Sequence, residues 1–399
     1  MTGFEEKIFK NKVRHYKIKK DRGKIIMFLD NPFMPDERVL REATTLSGYG
    51  FNLEIVAWDR TGKFKTRELY RNIYIYRIPV KSKFGSGIKQ VIPLFIFWEK
   101  AFLRVIKEKD VTIYHAHDFY NLPLAFFVNL VRKRKLIYDS HENFPEFLKK
   151  GNPLWVSKIV EIMERFLLKR VNYVITASDT LRKKFENFGI KNVKTVGNWK
   201  SKKVRNVDLK KVYNLKKKFN ITKKDFVVVY IGGLNRDRDV VSLIKASEGK
   251  KDIKTIIFGR GENQSLIEKL CNKNNNVIYG GWLPLKDVPL CYIMADVIFY
   301  ALRQDSPLLN FNAPNSLGFS LVFGKPMIVY GKGDLKRIIE ETEAGIILKT
   351  LNSHTVLNAI YEIKKNYKYY SKNARDAGEK KYNWDIAKES LLEVYREYL

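Results

Sequence analysis

Short apolar runs alternate with amphipathic stretches along the chain, and the alternation predicts its architecture. "KIIMFLD", Lys24 to Asp30, is an apolar run with a charged end, as expected of a buried parallel strand. Val39, Leu40, Ala43 and Leu46 then share one side of a helix that starts near Asp36 and stops at Gly48 and Gly50. Further strands are "NLEIVAWD", "IYIYRIPV", "VTIYHAHD", "KLIYDSHE" and "YVITAS", with helices over 91–109, 122–132 and 154–169. A lysine-rich polar stretch near 200–224 interrupts the pattern, which restarts at "DFVVVYIGGL". Strands "KTIIFGRGE", "NVIYGG", "ADVIFYAL" and "PMIVYG" follow, between helices over 238–247, 263–272, 285–294 and 314–323. "YNWDIAKESLLEVYREYL" closes the chain as an amphipathic helix. Two such blocks predict an α/β protein of two doubly wound, Rossmann-like domains facing a central cleft, with ligands at the carboxyl ends of the strands. The expected divisions are a basic arm over 1–22, a first domain over 23–200, a second over 201–383, and a final helix, 384–399, packing back on the first.

Composition narrows the picture. A chain of 399 residues exceeds one ordinary core. Cys271 and Cys291 give neither a disulfide framework nor a zinc site, which fits a reducing, cytoplasmic setting. The start of the chain lacks the apolar core of a signal peptide. The window "VIPLFIFWEKAFLRVI" is broken by Glu99, Lys100 and Arg104 and is too charged to span a bilayer. A net charge of +32 attracts polyanions. Either an anionic membrane surface or a generally lysine-rich exterior accounts for it. No zinc-finger, helix-turn-helix or RNP-type signature points to specific nucleic acid. Phe95, Phe97, Trp98 and Phe102, set among Lys89, Lys100, Arg104 and Lys107, mark 84–107 as a stretch expected to touch membrane, on the inner face if anywhere.

Three strand-to-helix turns carry candidate chemistry. In "YIGGLNRDRD", Gly232 and Gly233 let backbone approach an oxyanion, and Arg236 and Arg238 offer forked donors to a diphosphate. "IIFGRGE" ends a strand in Gly259-x-Gly261 without the full dinucleotide fingerprint. In "NAPNSLGFSLVFGKP", Asn312 reads as an N-cap and Pro314 as a first-turn residue, so the N–H groups of Asn315 and Ser316 would be open to a phosphate. In the first half, His115, His117 and Asp118 end one strand, and Asp139, His141 and Glu142 end the next. The strand tip favours His117 as the residue reaching the cleft. The spacing does not converge three ligands on one point, so no metal site is expected.

In their order and spacing, "DERVLREATTLSGYGFNLEIVA", "HAHDFYNLPLA", "YDSHENFPE", "YIGGLNRDRDVVSLIKA", "IFGRGE", "PNSLGFSLVFGKPMIV" and the closing helix resemble the retaining glycosyltransferases of family 4, with the GT-B fold. The resemblance covers about residues 24 to 399. It implies transfer of a sugar from a UDP- or GDP-linked donor to a glycan or lipid-linked acceptor, with retention and no further cofactor. It places Arg238 on the donor diphosphate, Asn315 and Ser316 on the distal phosphate, and His117 near the reacting sugar. Gly259 and Gly261 would line the donor cleft, and Trp282 and Leu283 would lie near the base. Asp118, His141 and Glu142 fall on the acceptor side.

Two departures stand out. Phe311 and Phe319 occupy the places of two family glutamates, the second of which grips the ribose; Asp305 is the nearest substitute. Phe319 therefore counts as a donor-site position with a changed function. The expectation is a glycosyltransferase of surface polysaccharide, glycolipid or glycan assembly. Its rivals are a degenerate GT-B protein that binds a nucleotide or glycan without turnover, and an anionic-polymer binder on the same fold.

Overall fold

The computed structural model describes residues 22–34, 36–83, 87–149 and 152–398. Of the expected basic arm only its last residue is described, and Phe84 also lies outside the described residues.

The chain falls into two compact units. The first runs to residue 138 and adds 170–172 and 396–399; the second comprises 139–169 and 173–395. This division lies earlier than the change in sequence pattern near 200.

The first unit contains β1 (Lys24–Leu29), α1 (Glu37–Tyr49), β2 (Asn52–Asp59), β3 (Arg67–Tyr70), β4 (Ile73–Pro79), α2 (Val91–Val105), β5 (Val111–His117), α3 (Leu122–Arg132) and most of β6 (Lys135–Ser140). Asp36 caps α1 by accepting from the Val39 N–H at 3.0 Å, and Gly50 ends it at φ 114°. Trp58 of β2 is fully buried, stacks on Phe97 at 5.2 Å, and donates its indole N–H to the Val80 carbonyl at 2.8 Å. Phe97 thus belongs to the core rather than to a membrane-facing surface. Trp98 is half-buried and donates to the Tyr120 carbonyl; of the four aromatics expected outward, only Phe95 is exposed. The expected helix over 91–109 ends at Val105.

The second unit holds α4 (Phe144–Leu148), α5 (Leu154–Leu168), β7 (Tyr173–Thr176), α6 (Asp179–Asn187), β8 (Val193–Thr195), α7 (Leu209–Lys218), β9 (Phe226–Ile231), α8 (Val241–Ser247), β10 (Ile253–Phe258), α9 (Gln264–Cys271), β11 (Val277–Gly281), α10 (Val288–Met294), β12 (Val297–Ala301), α11 (Asn315–Phe323), β13 (Met327–Tyr330), α12 (Gly333–Thr342), β14 (Gly345–Ile347), α13 (Ser353–Lys365), α14 (Tyr367–Lys380) and nearly all of α15 (Trp384–Arg396).

Two sheets result. One has eight strands in the order β3-β4-β2-β1-β5-β6-β7-β8; the other has six in the order β11-β10-β9-β12-β13-β14. In the six-stranded sheet alternate residues serve opposite faces. Val227, Val229, Ile256, Phe258, Ile298 and Tyr300 enter one apolar layer. Val228, Tyr230, Ile257, Val297 and Phe299 enter the other. Burial on both faces explains why these strands read as unbroken apolar runs. The antiparallel edge strand β3 and helix α7 have weak sequence signals. In helix α7 only Val212 is buried, Leu215 is half-buried against the core, and lysines fill much of the rest; Asp208 caps it through the Lys210 N–H at 2.9 Å. Among the described residues, no helix is long and apolar enough to cross a membrane.

Candidate functional site

The residues expected on the donor side gather at the carboxyl ends of β9, β10 and β11, and at the start of α11. Lateral hydrogen bonds tie the strand ends together. The Gly232 N–H donates to Phe258, the Leu234 N–H to Arg260, and the Gly259 N–H to Gly281, at 3.0 to 3.1 Å. The Tyr230 hydroxyl donates to the Gly233 carbonyl at 2.6 Å. Burial pushes its phenol up to about 12, so it stays a donor at neutral pH. The glycines answer to backbone crowding. A Cβ on Gly259 would lie 1.9 Å from the Gly232 carbonyl oxygen, and one on Gly261 would lie 2.7 Å from that of Leu234. Gly232 and Gly233 themselves remain partly open to solvent.

Arg238 is held against Tyr300, with its guanidinium carbon 4.4 Å from the ring centroid and an N–H bonded to the hydroxyl. Burial lowers its pKa, but arginine remains a cation. The Asn312 amide donates to the same hydroxyl, so Tyr300 joins Arg238 to the segment that enters α11. Asn312 is therefore not the expected N-cap: α11 begins at Asn315 with Pro314 at the cap position and no side-chain cap bond. Proline's fixed φ presets the turn, and Asn312 is held by the phenol instead. Arg236 differs from Arg238: its side chain is 88% exposed and pairs with Glu262 at 3.1 Å.

The first bond at the start of α11 runs from the Leu317 N–H to the Pro314 carbonyl, 3.1 Å. The N–H groups of Asn315 and Ser316 precede it, where helix geometry supplies no internal acceptor. Ser316 is 7% exposed, and its Oγ has no hydrogen-bond partner. Lys200, 1% exposed, donates to the Asn315 Oδ1 at 2.8 Å. Its ammonium also lies 4.4 Å above the Phe319 ring. Gly318 lets the loop bearing Lys200 approach: a Cβ there would meet the Asn198 carbonyl oxygen at 2.7 Å. Phe319 itself is buried and stacked on Tyr292 at 5.0 Å. It is a core residue of α11, enclosed between that ring and the Lys200 ammonium rather than open to solvent. Trp282 is exposed with Arg260 4.9 Å above its ring, while Leu283 is half-buried against the core. Asp305 is exposed and paired with Arg303 at 3.1 Å.

In the first unit, His117 ends β5, but its ring is wholly buried rather than facing open space. The His115 and His117 rings lie 4.1 Å apart, and ligand atoms of both lie within 4.8 Å of a carboxylate oxygen of buried Glu42. Two imidazoles and a carboxylate are a donor set that suits a divalent ion or a shared proton. The convergence went unseen in the sequence because Glu42 comes from α1, about seventy positions away. Asp118 sits at φ 59°, ψ 164°, a conformation costly for a residue with a Cβ. In the second unit, His141 pairs with Asp139 at 2.9 Å, and Glu142 is exposed. Sequence reasoning missed Tyr300, Lys200 and Glu42. Lys200 lies in the segment "VGNWK" that follows β8, which carries no motif.

Comparison with known proteins gives the family and the fold. Residues 37–199 match the family described as Glycosyltransferase Family 4, and residues 212–384 match Glycosyl transferases group 1. The chain is 23% identical over 350 residues to an uncharacterized 41.2 kDa protein in the cps region of Klebsiella pneumoniae, covering 82% of this chain and 89% of that protein. Its fold is similar to sucrose-phosphate synthase from Thermosynechococcus elongatus, with a TM-score of 0.77 at 14% identity over 94% of this chain and 99% of that one. It is also similar to Anabaena HepE in complex with UDP and glucose, with a TM-score of 0.72 at 16% identity over 94% of this chain and 100% of that one. With both halves matched and the fold shared, the chain belongs to glycosyltransferase family 4 and is a GT-B glycosyltransferase.

Proposed function

We propose that the enzyme transfers a sugar, with retention, from a UDP-linked donor to a surface polysaccharide or lipid-linked glycan on the cytoplasmic side of a membrane. The UDP of the HepE complex supports the choice of base, and the Klebsiella relative in a cps region supports the acceptor class. We assign donor binding to 201–383 and acceptor binding to 23–200, close to the bounds of the two family matches. The observation that carries the reading is the start of α11, with two open N–H groups, the unpartnered Ser316 Oγ and the buried Lys200 ammonium. A distal phosphate would satisfy the hydroxyl and both N–H groups. Arg238 would hold the diphosphate through the N–H groups not given to Tyr300, with Gly232 and Gly233 allowing close approach and Arg236 swinging in from solvent. Trp282 offers its exposed face to the base. As the sugar–phosphate bond breaks, these cations stabilise the departing diphosphate in place before charge develops. His117 acts near the sugar from its enclosed place at the end of β5, and Asp118, His141 and Glu142 act on the acceptor side.

Calorimetry with UDP and GDP, followed by release of free UDP from UDP-sugars, tests the proposal. UDP should bind in preference to GDP, and Ser316→Ala should weaken UDP without weakening uridine. His117→Ala should lower turnover far more than UDP affinity. Absence of binding by either nucleotide would sink the donor assignment. A second reading, binding without turnover, is favoured by the enclosed Phe319 at the place given to a ribose-gripping glutamate. UDP binding with no UDP release from any UDP-sugar, acceptor supplied, would establish it.

A further inference from the structure

Helix α5 is docked with its faces reversed. Its inner side carries polar anchors: the Ser157 hydroxyl donates to the Pro145 carbonyl at 2.7 Å, and Glu164, wholly buried, accepts from Lys184 at 2.8 Å. Leu167 and Leu168 complete that side. Its outer side is apolar. Trp155, Ile159, Ile162 and Phe166 fall within about 60° of arc at 100° per residue. They are 61%, 48%, 68% and 62% exposed. Lys158, Arg165 and Lys169, all exposed, line one flank of this stripe along the length of the helix. A water-facing helix would show the opposite arrangement. An apolar ridge with a parallel basic row, on a helix about 22 Å long, is the pattern of a segment lying in the plane of a bilayer interface.

We propose that the outer face of α5 seats the enzyme on an anionic phospholipid surface. Trp155, Ile159, Ile162 and Phe166 would enter the boundary between headgroups and acyl chains, and Lys158, Arg165 and Lys169 would meet lipid phosphates. Charge decides between this occupant and a second copy of the chain. Each copy carries +32, so two copies repel, whereas an anionic leaflet attracts. The inference does not depend on the donor assignment.

Flotation of the full chain with phosphatidylglycerol or phosphatidylcholine vesicles tests it, with UDP calorimetry on the same samples so that the donor site is read separately. The wild type should float with phosphatidylglycerol and lose most of that binding between 0.1 and 0.5 M salt, an approximate range set by charge screening. Trp155→Ser/Ile159→Ser/Phe166→Ser should reduce binding by at least about tenfold with an unchanged Tm, since the residues are exposed. Lys158→Glu/Arg165→Glu should abolish the preference for phosphatidylglycerol. If the triple variant is poorly folded, Ile162→Glu alone gives the same reading at the most exposed position. Equal flotation of the triple variant overturns the proposal, as does equal binding to both lipids. So does loss of binding in Ile92→Ser/Phe95→Ser on α2 with the α5 variants unaffected. A wild-type dimer converted to monomer by the triple variant would assign the face to a second copy instead.

Discussion

Arg238 and Arg236 stand two positions apart, yet only one is preorganised. The Tyr300 ring and hydroxyl hold Arg238, so little side-chain freedom remains to be lost when a diphosphate arrives. Arg236 is solvated and must give up both its freedom and its pairing with Glu262. Arg238→Ala should therefore cost about 1.5–3 kcal/mol of UDP affinity, roughly 10- to 150-fold, while uridine binding changes little. Arg236→Ala should cost less. Equal losses for UDP and uridine in calorimetry would remove Arg238 from the diphosphate. Phe319 argues in the other direction. Packed between Tyr292 and the Lys200 ammonium, it is a stability residue. Phe319→Ala should destabilise by about 3–5 kcal/mol through the cavity it leaves. Denaturant unfolding reads this directly. A variant of near-normal stability that binds UDP poorly would show instead that the ring serves the ligand.

Elements place these residues, and some elements were easier to read than others. The strands of the six-stranded sheet were plain in the sequence because both their faces are buried, as Val227 and Val228 show on opposite layers. Helix α11 was legible through its proline and glycine punctuation. Its cap was not, because Asn312 is drawn away by a tyrosine on β12, a contact no local rule contains. Helix α7 was hidden because its short apolar side, Val212 and Leu215, is set among lysines in a stretch that reads as polar. The buried group of Glu42, His115 and His117 was hidden because separate elements supply it. Spacing shows only what one element carries. Glycines lie between these cases. Gly259 was marked as a donor-cleft residue, and the structure gives it a second duty: it lets the β9 and β10 loops touch. Gly259→Ala places a Cβ against the Gly232 carbonyl, at φ +149°. Both loops must then move, so Tm and UDP affinity should fall together, with about 1–3 kcal/mol lost from overpacking alone. A variant that keeps its UDP affinity while losing stability would show that the Gly232–Gly233 turn does not contact the donor.

At the scale of the molecule, a chain with a charge of +32 works against its own repulsion, and its carboxylates become disproportionately useful. Arg337 gathers three of them, with N–O distances of 2.9 Å to Asp179, 2.9 Å to Asp334 and 3.1 Å to Glu341. It thereby fastens α12 to α6. Burial alone would raise the Asp179 carboxyl, but the Thr195 hydroxyl, Arg337 and Arg182 outweigh it and hold the pKa below the ordinary value. Glu341 is likewise lowered: burial opposes the shift, and Lys381, Tyr382 and Arg337 prevail. The sign of the linkage follows. A carboxylate depressed in the folded state contributes stability that is fully present above its unfolded pKa of about 4, and that stability is lost as pH falls through the folded value. Because Arg337, Asp179 and Glu341 are partly exposed, solvent screening limits Arg337 to roughly 1 kcal/mol at pH 7. Arg337→Ala should therefore lower Tm by a few degrees at pH 7, by the same amount at pH 6, and by less near pH 3, below the unfolded carboxyl values. As pH falls toward the depressed values of Asp179 and Glu341, the wild type loses the same stabilisation and gains net charge. Calorimetric scans of both proteins at the three pH values check this. A Tm gap that persists unchanged near pH 3 would mean that Arg337 stabilises through the packing of its aliphatic stem, and that the acid sensitivity of the fold lies in other carboxylates.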